Sequence, residues 1–296
     1  MGRMHADEVG TDVALVRRLL AGQFPQWADL PVEPFDSPGT VHAIYRLGDH
    51  LSVRLPLVEW GSEDVEKEQR WLPRLAPLLP VAIPAVLGKG VPAEGFPWPW
   101  SVCRWLDGGN PDAGRLAADA QTAGALAMDL AGFVGAFRRI ELPGGPPAYR
   151  GGSLAEQDTA TRAAIAELKG LIDTDAATAA WDAALRAPEW AGPPVWVHAD
   201  LMPGNLLVAD GRLTGVIDFA TTGVGDPACD LIIAWNLLPP RAREEFRAGL
   251  NPDDATWARG RGKALSMALI QLPYYLGTNP AIAANARHVI SAVLAG

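Results

Sequence analysis

The chain has 296 residues, 49% of them hydrophobic and 20% charged, with a formal net charge of −9. That size and balance suit a packed globular enzyme of two domains or lobes. The acidity argues against a nucleic-acid backbone as main partner, because phosphate contacts need a basic surface. It favours a cationic partner electrostatically, although an acidic surface that keeps the protein in solution accounts for it as well. Pro, Gly or a charge breaks each apolar run well before bilayer length, and Met1 to Gly10 lack the basic-then-apolar order of a secretory signal, so no membrane segment and a cytoplasmic location are expected.

In chain order, Val41 to Leu47 and Leu51 to Leu55 are β-rich runs on either side of Gly48, Asp49 and His50, which reads as a hairpin. With Gly48 and Asp49 as its turn residues, Arg54 faces Ala43. Val65 to Leu79 has a helical pattern, with Pro73 starting a second short helix. Strands follow around Ala85 to Gly88 and Trp98 to Arg104. Asp107-Gly108-Gly109-Asn110-Pro111 then separates a strand-rich third from an alanine-rich helical remainder, which places the boundary between residues 1–106 and 107–296.

Beyond it, Leu126, Leu130, Phe133, Val134 and Phe137 repeat at helical spacing and bury one face. The run Pro143 to Pro147 ends that helix. Ser153 with Glu156 reads as a capping box opening another, and a further helix carries Trp181 and Leu185. Cys103, in a strand, and Cys229, in a first helical turn, read as buried thiols with no spacing that pairs them.

The chemistry concentrates between Val195 and Leu231. Val195 to Val197 reads as a strand, His198 to Gly204 as a loop, and Leu206 to Val208 and Leu213 to Ile217 as strands joined at Asp210-Gly211, a strong two-residue turn signal. Pairing Ala209 with Arg212 sets Asn205 against Val216, so Asp218 lies diagonally from Asn205 on one face, about 7–8 Å away. An amide oxygen and a carboxylate are hard ligands suited to Mg²⁺ shared with waters and substrate phosphates. Asp200, in the loop before the hairpin, is expected to overhang the same end.

His198-Ala199-Asp200, Asn205, Ile217-Asp218-Phe219 and Gly225-Asp226-Pro227 together resemble the aminoglycoside phosphotransferase family, over a region from about Ser37 to Trp235. The resemblance implies an α+β, bilobal protein-kinase-like fold with a small β-rich N-lobe and a larger, mainly helical C-lobe. It implies that Asp200 is the catalytic carboxylate at the acceptor hydroxyl, and that Asn205 and Asp218 hold Mg²⁺ on ATP or GTP. Ala199 stands where a glycine is expected. His198 is implied to brace the loop. Asp226, before Pro227, reads as an N-cap, and Asp230 as a first-turn charge on the helix dipole, both structural.

In the first third the resemblance implies a phosphate loop at Gly39 and Thr40. It implies a strand cation, Arg54 where the family usually presents lysine, paired with Glu68 of the following helix, and a link from Cys103 to Asp107 whose backbone at Arg104 and Leu106 faces the base. The implied activity is O-phosphorylation of an antibiotic or related natural product. A metabolic kinase for choline, homoserine or a thioribose shares these motifs, since the acceptor pocket lies in helices between about Gly152 and Ala187. A pseudokinase predicts loss of Asp200, Asn205 or Asp218, and all three are present. Only Phe219 to Gly225 follow Asp218 before the next helix, which disfavours a protein kinase.

Overall fold

The computed structural model describes residues 8–36 and 41–296. Gly39 and Thr40 lie outside the described residues. Two compact units emerge: residues 8–108 with the returning stretch Thr214–Ala220, and Gly109–Leu213 with Thr221–Gly296.

The first unit opens with α1 (Val13–Gln23), whose start is set by Asp12 accepting the Leu15 N–H at 2.7 Å. Its strands are β1 (Val32–Phe35), β2 (His42–Leu47) and β3 (Leu51–Pro56), then α2 (Trp60–Leu75), β4 (Val86–Gly90) and β5 (Trp100–Arg104). They form one antiparallel sheet in the order β1-β2-β3-β5-β4. Leu15, Val16, Leu19 and Leu20 of α1 join Tyr45, Leu47, Val53, Leu55, Trp100 and Val102 in one core on its face.

Two expectations change here. Leu47 pairs with Leu51, so Gly48, Asp49 and His50 all lie in the connection and Arg54 faces Ile44, not Ala43. The third loop residue moves the register by one. Pro73 does not start a helix; it lies inside the last turn of α2, where it gives up one i→i−4 backbone bond, and the chain then tightens into a 3₁₀ turn at Ala76–Leu78. The start at Trp60 escapes a sequence reading because Glu59 makes no side-chain cap.

The second unit is mainly helical: α3 (Ala113–Ala118), α4 (Ala120–Arg138), α5 (Asp158–Glu167) and α6 (Thr174–Leu185) precede β6 (Val195–Val197), β7 (Leu206–Ala209), β8 (Arg212–Val216) and β9 (Gly223–Gly225). Then come α7 (Ile233–Asn236), α8 (Pro240–Leu250), α9 (Asp254–Tyr275) and α10 (Pro280–Leu294). The expected stripe of α4 is buried throughout, and α4 packs on α8 and β6. α9 is the hub: it packs on α5, α6 and α10 and buries residues around most of its girth. The Ser153–Glu156 capping box is formed, opening a 3₁₀ turn that leads into α5. β7 and β8 meet through Asp210 and Gly211 at φ 51° and 73°, the positive values an Asp-Gly turn requires. Cys103 and Cys229 are buried free thiols. Among the described residues no helix is long and apolar enough to cross a membrane.

Candidate active site

In the first unit, Arg54 projects from the middle of β3 and its Nη1 meets Oε2 of Glu68, on α2, at 2.7 Å. Both side chains are nearly out of solvent. Burial works against the Arg54 charge, but Glu68, with Cys103 and Asp218 nearby, outweighs it and holds the guanidinium charged. The other Glu68 oxygen accepts the Phe219 N–H at 3.2 Å, while Lys67, one residue earlier, donates to the Ala220 carbonyl at 2.6 Å. Ala82 exchanges backbone bonds with Thr214 and Val216 at 3.2 and 3.0 Å. These contacts bind the stretch from Thr214 to Ala220 into the first unit and set Asp218 beside the Arg54–Glu68 pair.

Asp218 adopts φ 64°, a left-handed value that a non-glycine residue holds only under constraint, and its carboxylate takes no hydrogen bond or ion pair among the described residues. Asp64, one turn before Glu68, is pushed up to about 6 by burial and then by Glu68. In the link after β5 the Arg104 N–H donates to the Ala85 carbonyl at 2.9 Å and the Trp105 N–H to the His50 carbonyl at 2.8 Å. Leu106 makes no backbone hydrogen bond among the described residues.

In the second unit the loop after β6 is held from below by Asp230. Its two oxygens accept the His198 N–H at 2.9 Å and the Ala199 N–H at 2.8 Å. Burial pushes this fully enclosed carboxyl up, with His198 and the two amides pulling against it. Asp230 stands in the first turn after Asp226, as expected, and its oxygens also reach the loop amides. It fixes the backbone that presents Asp200. His198 is fully buried, and its carbonyl accepts the Thr221 hydroxyl at 2.8 Å. Ala199 sits at φ 64°, which explains why glycine suits this position and marks local strain of about 1 kcal/mol. Asp226 caps the following turn through the Ala228 N–H at 2.8 Å, as expected, and also forms a buried pair with Arg259 at 2.8 Å.

Asp200 is one-fifth exposed, and both of its oxygens have a donor: Arg150 Nη1 at 2.5 Å on Oδ1, Asn205 Nδ2 at 3.0 Å on Oδ2. The same Asn205 nitrogen donates to the Asp200 carbonyl at 2.8 Å. Its amide is thereby oriented, and its Oδ1 is left without a partner among the described residues. Asn110 secures the turn by donating to the Gly204 and Leu206 carbonyls, both at 2.9 Å. Arg150 carried no sequence signal. It arrives because Pro146–Gly151 lies along Thr221–Asp226, with backbone bonds joining Tyr149 to Thr221, Ala148 to Val224 and Asp226 to Gly151. Gly225 permits the approach, since a Cβ there would sit 2.6 Å from the Gly151 Cα.

Residues 34–264 match the model of the phosphotransferase enzyme family, APH. The chain belongs to that family. The aminoglycoside 3'-phosphotransferase of Escherichia coli is 33% identical over 90 residues, a match spanning 27% of this chain and 31% of the relative. Among solved structures, the GDP and kanamycin complex of APH(2")-IIia superposes with a TM-score of 0.76 at 18% identity, covering 95% of this chain and 98% of that one. Macrolide 2'-phosphotransferase MphH from Brachybacterium faecium gives 0.63 at 22% identity, over 95% and 97%. The α+β, protein-kinase-like fold expected from the motifs is the fold of these family members.

Proposed function

We propose that this family member transfers the γ-phosphate of ATP or GTP to a hydroxyl of an antibiotic or related natural product, working in the cytoplasm. The observation that carries the reading is Asp200, a part-exposed carboxylate on a loop whose backbone Asp230 locks, inside the region matched by the phosphotransferase model. Its oxygens align the acceptor hydroxyl and take its proton as the hydroxyl oxygen bonds to the γ-phosphorus and the nucleoside diphosphate leaves.

Asn205 and Asp218 fit a magnesium site: the donor set is an amide oxygen and a carboxylate, both hard, and neither is spent on another partner among the described residues. Bound Mg²⁺ would neutralise the phosphates. Arg54 supplies further positive charge, and Glu68 holds Arg54 in place. Arg104 and Leu106 supply backbone groups to the base. Solved relatives named as complexes with GDP, ADP and ATP support a nucleotide donor, and those named with kanamycin, gentamicin and streptomycin support an antibiotic acceptor.

The test is a panel of aminoglycosides, macrolides and neutral antibiotic alcohols, set beside choline, homoserine and thioribose-type sugars. Each is incubated with ATP or GTP and Mg²⁺ and followed by product mass. Phosphorylation of an antibiotic is expected. Transfer confined to the metabolic alcohols would replace the acceptor class, and nucleotide binding with no transfer to any acceptor would sink the reading.

A further inference from the structure

The acidic chain invites a cationic acceptor, yet the immediate surroundings of Asp200 are built the other way. Arg150 already occupies Oδ1 of the carboxylate at 2.5 Å and touches the Ala199 carbonyl at 3.3 Å. Its backbone is anchored, because its own carbonyl receives the Lys263 ammonium at 3.0 Å and the Cys229 thiol at 2.9 Å. Lys263 also binds the Gly152 carbonyl at 2.7 Å, so a second positive charge is held beside the first. Two buried carboxylates of this unit already have partners: Asp226 is paired with Arg259, and Asp230 with the loop amides.

Aromatic surface stands beside the guanidinium. Tyr149 is 77% exposed, with the Arg150 guanidinium 5.4 Å from its ring centre. At the end of α9, burial and then Tyr274 raise the Tyr275 phenol, with smaller opposing effects of Arg150 and Asp200, and the ring packs edge-on against Tyr274, itself 65% exposed. Exposed Tyr149 beside the guanidinium offers an apolar face and a hydroxyl to a ligand body.

We propose that Arg150 determines acceptor specificity: it selects a hydroxyl borne on an apolar or aromatic body with no ammonium group beside it, and it excludes polycationic aminosugars. The inference rests on the phosphotransfer reading of Asp200. An ammonium flanking the reacting hydroxyl would have to approach the guanidinium on that same carboxylate, a like-charge juxtaposition that works against binding and transfer together.

The experiment compares wild type, Arg150→Ala, Arg150→Lys and Arg150→Glu with three probes: chloramphenicol, neutral and aromatic; erythromycin, with one amine; and kanamycin, a polycation. Wild-type kcat/KM should fall in that order, by at least about tenfold from end to end. Arg150→Ala and Arg150→Glu should shift the chloramphenicol-to-kanamycin ratio at least about tenfold toward kanamycin, and Arg150→Lys should keep the wild-type order. Nucleotide Kd should stay within about twofold.

Independently of turnover, calorimetry on the nucleotide-loaded full chain should show kanamycin binding Arg150→Glu at least about tenfold more tightly than wild type. Arg241→Glu, a reversal at an exposed site on α8, should leave that affinity unchanged. A wild-type preference for kanamycin overturns the inference and leaves phosphotransfer standing. So does a uniform loss on all three acceptors in Arg150→Ala, which would make Arg150 only a brace for Asp200. Equal kanamycin binding by wild type and Arg150→Glu overturns it without reference to catalysis. Nucleotide binding with transfer to none of the three removes the phosphotransfer reading and the inference with it.

Discussion

Each unit contains one arginine–carboxylate pair at its candidate site, and the two differ in solvent. Arg54 and Glu68 expose 12% and 4% of their side chains; Arg150 and Asp200 expose 33% and 22%. A pair sealed from water cannot lose one partner cheaply, because the survivor keeps a charge that nothing hydrates. A half-open pair can exchange its partner for water or for a substrate hydroxyl. The same chemistry thus serves rigidity in the first unit and reactivity in the second.

The comparison breaks most visibly at Asp200→Asn. Transfer should fall by about 10³-fold while nucleotide affinity changes less than about threefold and stability by under about 1 kcal/mol. Calorimetry, product mass and urea unfolding on one preparation check all three, and surviving turnover would end the catalytic assignment. Glu68→Ala should do the reverse to stability, costing about 3–5 kcal/mol in urea unfolding of the first unit, since Arg54 stays buried alone and the Phe219 N–H loses its acceptor. A loss under about 1 kcal/mol would show that water reaches Arg54.

The buried pair has a second consequence at His42. Burial, then the Arg54 charge, lowers its imidazole to about 3. The folded state holds it neutral while the unfolded chain binds a proton below about 6.5, so its contribution is intact above that pH and drains as pH falls toward 3. Between pH 6.5 and 5, His42→Asn should lose about 1.5 kcal/mol less stability than wild type. Parallel pH profiles would place the imidazole in water. Ala199→Gly is the smallest test. Relief of the left-handed backbone at φ 64° should stabilise the second unit by about 0.5–1 kcal/mol, read as a raised urea midpoint. A lowered midpoint would mean that the unfolded glycine's extra freedom outweighs the strain.

Much of the second unit's site was legible because its signals are local. Asp-Gly dictates its own turn and Pro after Asp226 its own cap, whereas strand alternation stops at Val216: Asn205 lies in a 3₁₀ turn and Asp218 at φ 64°, so neither holds a strand position. The first unit was read less well for the same reason. A three-residue connection instead of two shifted Arg54 by one register place, and an uncapped α2 hid five residues of helix.

By itself, then, the sequence determined the first-unit hairpin, the buried stripe of α4, the Asp-Gly turn and the family, since their signals lie within a few positions of one another. Tertiary structure alone decided that Thr214–Ala220 returns to the first unit and that Asp230 grips the loop amides. It alone brought Arg150, fifty residues upstream, onto Asp200. These are contacts between segments whose approach is set by packing and by paired glycines, and linear spacing carries no record of which buried charge will find which partner.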